Sequence, residues 1–267
     1  MKIFVCIKQV PGVSEVKIDP ETNTLVREGI PSIINPMDKN GIELALELKE
    51  KYGAETIGIS MGPPQAEEAL REALAMGLDE TYLLTDRAFA GADTLATSHT
   101  LSLAIKKLLE NYGERDNYLV ICGTQAIDGD TAQVGPEVAE ELGIPQITYV
   151  QKFEIRDDKV IVERAFRGEE VVIIETKLPV LVSVLRDLNE PRYPTLDGIV
   201  DSYEKEVKYL NHEDIEAVKK NIGLVGSQTE VWRIFVPKRK GEHIILEGSI
   251  EERVSELCQK LKEDKLI

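Results

Sequence analysis

The feature that most constrains this chain is an alternation, sustained up to about residue 145, of short apolar runs with helical patterns. Ile3–Ile7, Thr56–Ile59, Glu80–Leu84 and Tyr118–Cys122 are apolar enough to be covered on both faces, which is the pattern of strands in a parallel sheet. Between them, Gly41–Lys51 sets Ile42, Ala45, Leu46 and Leu48 on a helical stripe that stops at the C-cap signal Tyr52-Gly53. Pro63-Pro64 opens a helix over Gln65–Met76, closed by Gly77. Asp93 is placed to cap Thr94–Tyr112, and Asp130 with Gln133 forms a capping pair for Gln133–Leu142. The expected fold is α/β: a mostly parallel, doubly wound sheet flanked by helices on both faces.

From about 146 the grammar changes. Ile147–Ile155, Lys159–Phe166, Glu170–Thr176 and Val180–Leu185 are strand-like runs parted by short turns, expected as an antiparallel addition to the same sheet. Residues 189–200, with two prolines and a glycine, are expected to form an exposed structured loop. Beyond Tyr203 the chain is charged and patchy, with a final helix near Ile250–Lys262. Trp232, Ile234, Phe235 and Val236 are scattered among charges there and would pack poorly alone. The expected division is a ligand-binding domain over 1–200 and, over 201–267, a C-terminal arm that wraps a partner subunit or else folds back on its own domain.

Composition narrows the partners. Against 32 Lys and Arg stand 48 Asp and Glu, a formal charge of −16, which repels phosphate backbones and anionic lipid heads. Nucleic acid is therefore not an expected partner. No run approaches the roughly 18 apolar residues of a membrane span, and the apolar run before Lys8 is shorter than the about 7–15 residues of an export signal. Cys6, Cys122 and Cys258 are odd in number and far apart, which fits a reducing cytoplasm. His99, His212 and His243 stand apart from any metal-ligand spacing. With no GxSxG, Walker or GxGxxG pattern, the chemistry points to binding, not to side-chain acid–base catalysis and not to a metal.

Open α/β sheets bind ligands in loops at the C-terminal ends of their strands. After Tyr118–Cys122, the glycines Gly123, Gly129 and Gly135 let the backbone approach a ligand, and Thr131 and Gln133 offer donors where a helix begins. Such a terminus suits a phosphate, worth about 0.3–2 kcal/mol per charge. Asp128 and Asp130 would repel it, so they are expected to cap backbone N–H groups or accept from ribose hydroxyls. The alternative is a solvated turn-rich loop. Two other loops share this edge. Ser60 and Gly62 precede a helix and could face an adenosine. In Asp86–Ser98 the small residues 90–92 leave room for a flat ring beside Thr94, Thr97 and Ser98, unless this is simply a capped helix start.

Taken together these segments resemble the β subunit of electron transfer flavoprotein. Six pieces match in order: Ile7–Pro11, Ile34–Asp38, Ser60–Pro63, Ala73–Gly77, the Gly123–Gly135 loop and Leu188–Tyr193. Across 159–183 the match is partial. Val162, Arg164, Gly168, Glu169 and Pro179 fit, whereas Arg167 stands where an acidic residue is usual and Val172 where Glu or Gln is usual. The resemblance implies a heterodimer with an α subunit that carries FAD. It also implies a nucleotide site in the β subunit that holds AMP in simple carriers and a second FAD in electron-bifurcating members. Asp86–Ser98 is similar to the bifurcating group and to nitrogen-fixation-associated relatives. By matching position, Asn35, Ser60, Gly62, Gly123, Gln125, Asp128, Gly129, Asp130, Thr131, Gln133 and Val134 should surround adenosine and phosphates. Thr94 and Thr97 should lie near the flavin ring and the place where NADH docks, and Asp93 is counted among the cofactor-binding residues.

The 191–200 loop resembles the family's recognition loop, with Leu196 as the anchor for an FAD-dependent dehydrogenase. Where simple members carry a lysine-rich run, this chain has Asp201-Ser202-Tyr203-Glu204-Lys205-Glu206. The implied function is flavin-based bifurcation: hydride from NADH, one electron to ferredoxin or flavodoxin, the other through the α-subunit FAD. The alternatives are a carrier with structural AMP and, from another class, an ATP-using α/β enzyme, against which the lack of a pyrophosphate loop and a Walker lysine counts.

Overall fold

The computed structural model describes residues 1–12, 17–18, 25–26, 31–156, 159–168, 170–232 and 244–266. The chain opens with β1 (Lys2–Cys6) and the short β2 (Gln9–Pro11). Next, β3 (Lys17–Ile18) pairs with β4 (Leu25–Val26), and β5 (Ser32–Ile34) pairs antiparallel with β2. Then follow α1 (Pro36–Tyr52), β6 (Glu55–Met61), α2 (Glu67–Met76), β7 (Glu80–Leu84), α3 (Thr94–Tyr112), β8 (Tyr118–Gly123) and α4 (Val134–Leu142). The remainder comprises β9 (Gln146–Arg156), β10 (Lys159–Ala165), β11 (Val171–Lys177), β12 (Val180–Val184), α5 (Leu196–Glu204), β13 (Val207–Leu210), the one-turn α6 (Gly223–Gly226) and α7 (Ile250–Glu263).

One nine-stranded sheet has the order β11-β10-β9-β12-β8-β1-β6-β7-β13. The expected doubly wound α/β architecture is what forms. From β1 the chain winds outward through β6 and β7, then crosses back to lay β8 on the other side of β1. Strand order therefore reverses between β1 and β8, and that reversal opens a crevice beyond their C-terminal ends. The two sheet faces bury separate clusters. Ile3, Val5 and Ile121 pack with Ile42, Leu46 and Leu70 of α1 and α2, while Phe4, Ile57 and Val120 pack with Leu101, Ile105 and Val138 of α3 and α4.

Expectations change at three places. Only β9, β10 and β11 form the antiparallel part; β12 runs parallel to both β8 and β9 and lies between them. Its five residues are all buried, the unbroken apolar pattern of a strand covered on both faces. At the far edge, Val207–Leu210 adds a parallel strand to β7, although it lies past position 200, where the arm was expected to begin. By its internal packing the chain groups into Met1–Val231 and Trp232–Ile267. Part of the loop expected over 189–200 is also helical: Thr195 accepts from the Gly198 amide at 3.0 Å and starts α5 at Leu196.

In the second unit α7 carries a complete capping box, Ser249 with Glu252. Trp232 is exposed; Ile234, Phe235, Val236 and His243 lie outside the described residues. Among the described residues no helix is long and apolar enough to cross a membrane.

Candidate functional site

The crevice at the β1/β8 reversal is a cavity of about 1630 Å³. Its floor is set by Asp38 in the first turn of α1, which Pro36 opens. Asp38 Oδ2 accepts from the Lys8 amide at 2.8 Å, while Oδ1 accepts from Asn35 Nδ2 at 2.9 Å and the Gly123 amide at 3.2 Å. Burial pushes its carboxyl up to about 7, although the three donors pull the other way. Asn35, also buried, donates to the Gln125 carbonyl at 3.0 Å and accepts from the Ile127 amide at 3.2 Å. Two adjacent polar side chains thus bind the ends of β1 and β8 and the loop after β8 into one piece.

That loop returns on itself through Asp130 N to Ala126 O, 2.8 Å, and holds Asp130 and Ala132 at φ 54°. The expected Asp130–Gln133 capping pair does not form. At positive φ Asp130 turns to accept from the Gln125 side chain, while Gln133 Oε1 accepts from Thr94 Oγ1 at 3.2 Å. Helix α4 accordingly starts at Val134 with no side-chain cap. Its first residues, Val134 and Gly135, line the cavity, and a helix start without a side-chain cap is suited to an anion. Helix α3 differs: Asp93 Oδ1 caps it through the Ala96 amide at 2.9 Å, as expected. Glu137 joins the two helix starts, accepting from Thr94 at 3.1 Å and from Ser98 at 3.3 Å.

The other end of the cavity is built by the 85–97 loop and by residues that follow β13. Asp86 accepts from the Ala88 amide at 2.9 Å and pairs with His212 Nδ1 at 2.5 Å; these contacts hold its carboxyl down to about 2. Leu224 N donates to Ala90 O at 2.9 Å, and Ser227 Oγ accepts from the Asp93 amide at 2.8 Å. Asp93 Oδ2 then accepts from Gln228 N (2.8 Å), Thr229 N (2.9 Å) and Thr229 Oγ1 (3.0 Å). Burial acts to raise the Asp93 pKa, but these donors and the Ala96 amide outweigh it and hold the carboxyl below the ordinary value.

Of the residues expected here, Asn35, Gly62, Asp93, Thr94, Thr97, Gly123, Gln125, Gly129, Asp130, Thr131, Gln133 and Val134 line this one cavity. Two do not. Ser60 lies buried in β6 with its hydroxyl unpartnered, and Asp128 is paired with Lys8 Nζ at 2.7 Å. Leu196 stands apart from the cavity, 83% exposed. Sequence reasoning missed Asp38, Glu137 and the 224–231 segment. Asp38 sits in the Asn35-Pro36-Met37-Asp38 run, where a carboxylate two residues inside a Pro-opened helix was the available signal. The 224–231 segment carries no local signal, because only the β13 pairing brings it here.

Fold and cavity define a class: a doubly wound α/β protein with a nucleotide-sized cavity at its topological switch point. Within that class, the electron transfer flavoprotein domain matches residues 22–215. The chain is 55% identical over 269 residues to electron transfer flavoprotein subunit beta of Thermoanaerobacterium thermosaccharolyticum, covering all of both chains. It is 50% identical over 270 residues to the caffeyl-CoA reductase-Etf complex subunit CarD of Acetobacterium woodii, again over the whole of both. With Protein FixA of Azorhizobium caulinodans it shares 43% over 247 residues, 91% of this chain and 86% of that one. The chain belongs to the electron transfer flavoprotein family, among its beta subunits.

Proposed function

We propose that this chain is the β subunit of an electron-bifurcating electron transfer flavoprotein of the cytoplasm. In this reading it holds FAD, takes electrons from NADH, and serves ferredoxin or flavodoxin on one branch. The other branch runs through the FAD of an α subunit to a dehydrogenase. Bound FAD would supply hydride acceptance and its division into single electrons; the protein supplies binding, orientation and electrostatics.

The observation that carries the reading is the size and two-ended build of the cavity. Its volume of about 1630 Å³ exceeds the roughly 300–1,000 Å³ of an ordinary small-molecule site. One end offers the uncapped α4 terminus to phosphates, with Gln125, Thr131 and Asp130 beside it for phosphate or ribose oxygens. The other end, around Ala90–Ala92, Thr94 and Thr97, has the small residues and hydroxyls that suit a flat ring. A mononucleotide would use only the first. Relatives named as subunits of a caffeyl-CoA reductase-Etf complex and, at 42% identity over 273 residues, of an acryloyl-CoA reductase support a reductase or dehydrogenase as the electron-accepting partner.

The test is to co-express the chain with its α subunit, denature the complex and quantify the released nucleotides. Two FAD per heterodimer support the proposal. One FAD with one AMP would reduce it to a simple carrier, and absence of flavin would sink both.

A further inference from the structure

We infer that the hydrogen-bonded latch between Asp93 and Gln228-Thr229 is what makes this site accept a flavin dinucleotide in preference to an adenine mononucleotide. The inference rests on the FAD reading above and adds a specificity determinant to it.

The two ends of the cavity share the Thr94 and Ser98 bonds to Gln133 and Glu137, but beyond these each is held by different residues. At the phosphate end the hydrogen bonds of Asn35 and Asp38 run among residues 8–127, and none of them reaches the 224–231 segment. The ring end has only one wall in that part of the sequence, the 85–97 loop. Its second wall is the 224–231 segment, which Leu224 N joins to the Ala90 carbonyl and which makes most of its other bonds to Asp93: the amide donates to Ser227, and Oδ2 gathers three donors from residues 228 and 229. Hydrogen bonds to an ionised carboxylate are the strong ones, so Asp93 is the dominant tie.

The fit of the wall is close. Gly223 sits at φ 57°, and a Cβ there would collide with the Ala88 carbonyl; a Cβ on Gly91 would stand 3.1 Å from Leu224. Across the gap, Leu95, Leu224 and Val231 line the cavity while remaining 40%, 56% and 78% exposed. Three large apolar side chains facing a cavity without covering each other suit a flat apolar ring that would cover all of them. A mononucleotide seated at α4 would leave them bare and would not sense the latch.

Asp93 is thus a positioning residue, and Asp93→Asn separates its two tasks. An amide oxygen still caps α3, since Asn is as good an N-cap as Asp, but the NH₂ group opposes the three donors of 228 and 229. Leu224→Ala with Thr229→Val perturbs the same wall without touching the cap. Each variant is co-expressed with the α subunit and its released FAD and AMP are measured. The stripped complexes are then titrated with each nucleotide, the α-site FAD serving as internal reference. FAD affinity at the β site is expected to fall by about tenfold or more, as loss of charge-assisted hydrogen bonds implies. AMP affinity should stay within about twofold. Proportional loss of both nucleotides would make the latch merely structural and overturn the inference, as would unchanged FAD binding. A wild-type complex with no second FAD would overturn the functional reading and this inference with it, and the wild-type arm alone reveals that case.

Discussion

The carboxylate of Asp38 occupies the space that a side chain at Gly123 would need: Oδ1 accepts the Gly123 amide at 3.2 Å, and a Cβ added there would collide with that same oxygen. It would also stand 2.9 Å from the Asp38 amide and the Met37 carbonyl carbon, so backbone as well as side chain must move. Gly123 is therefore required for the close approach of α1 to the end of β8.

Gly123→Ala is expected to destabilise the fold by about 1–3 kcal/mol, the usual cost of overpacking. It should also lower nucleotide content by displacing the loop behind it. Thermal unfolding with nucleotide quantification checks both; unchanged values would show that the α1 terminus yields freely.

Asp38 gives the protein a distinctive pH dependence. Its folded pKa of about 7 lies above the ordinary 3.8, so the folded state holds a proton that the unfolded state releases. The resulting stability is fully present below about 4 and is lost as pH rises through 7. Asp38→Asn should remove that slope, whatever constant offset it adds. Denaturant unfolding of both proteins between pH 4 and 8 is the check, and parallel curves would refute it.

Asp86 works in the opposite direction. The Ala88 amide and His212 hold it at about 2, so its contribution is present above the ordinary 3.8 and lost as pH falls toward 2. His212→Ala removes the imidazole and keeps the residue-212 amide, which donates to Asp86 Oδ2 at 3.3 Å. The Asp86 carboxyl titration, followed by NMR, should move upward, and acid unfolding should begin at higher pH. A carboxyl that titrates unchanged would assign the depression to the Ala88 and residue-212 amides without the imidazole.

The alternation of apolar runs and capped helices made the parallel sheet and the crevice legible, because each βα unit is written locally: Asp93 before α3, Gly77 after α2, Gly143 after α4. What was not legible depends on pairing over distance. β12 lies next to β8 through partners some sixty residues away, such as Val182 with Ile121, and nothing within Val180–Val184 names its neighbour or its direction. β13 is only four residues long and half polar, and its place beside β7 is what carries Leu224 and Thr229 to the site. Asp130 misled because a local cap signal lost to a loop held at positive φ.

Leu196 is the clearest candidate for a partner contact. It begins α5 at 83% exposure, and Val200 and Tyr203 extend an exposed apolar stripe along the same helix. An exposed side chain contributes little to folding, so Leu196→Ala should change stability by less than about 0.5 kcal/mol. In the complex proposed above, electron delivery to a dehydrogenase should weaken while NADH reduction of the flavin stays unchanged. Equal loss in both assays would count against an anchoring role.

The C-terminal helix poses the same question for the α subunit. In α7, Ile250, Val254 and Leu257 fall at i, i+4 and i+7 on one helical stripe and are 70%, 54% and 47% exposed. The capping box at Ser249 and Glu252 defines where the helix begins without any contact to that stripe. An apolar face of this kind on an independently capped helix is expected to be covered in the working complex, and the α subunit is the partner the family reading supplies. Val254→Asp would place a charge in the middle of the stripe without disturbing the cap. The variant should leave the unfolding of the 1–231 unit unchanged and weaken co-purification with the α subunit, whereas Glu251→Ala, off the stripe on the same helix, should do neither. Sedimentation of the co-expressed proteins decides it: an intact heterodimer with Val254→Asp would show that this face is not what the α subunit grips.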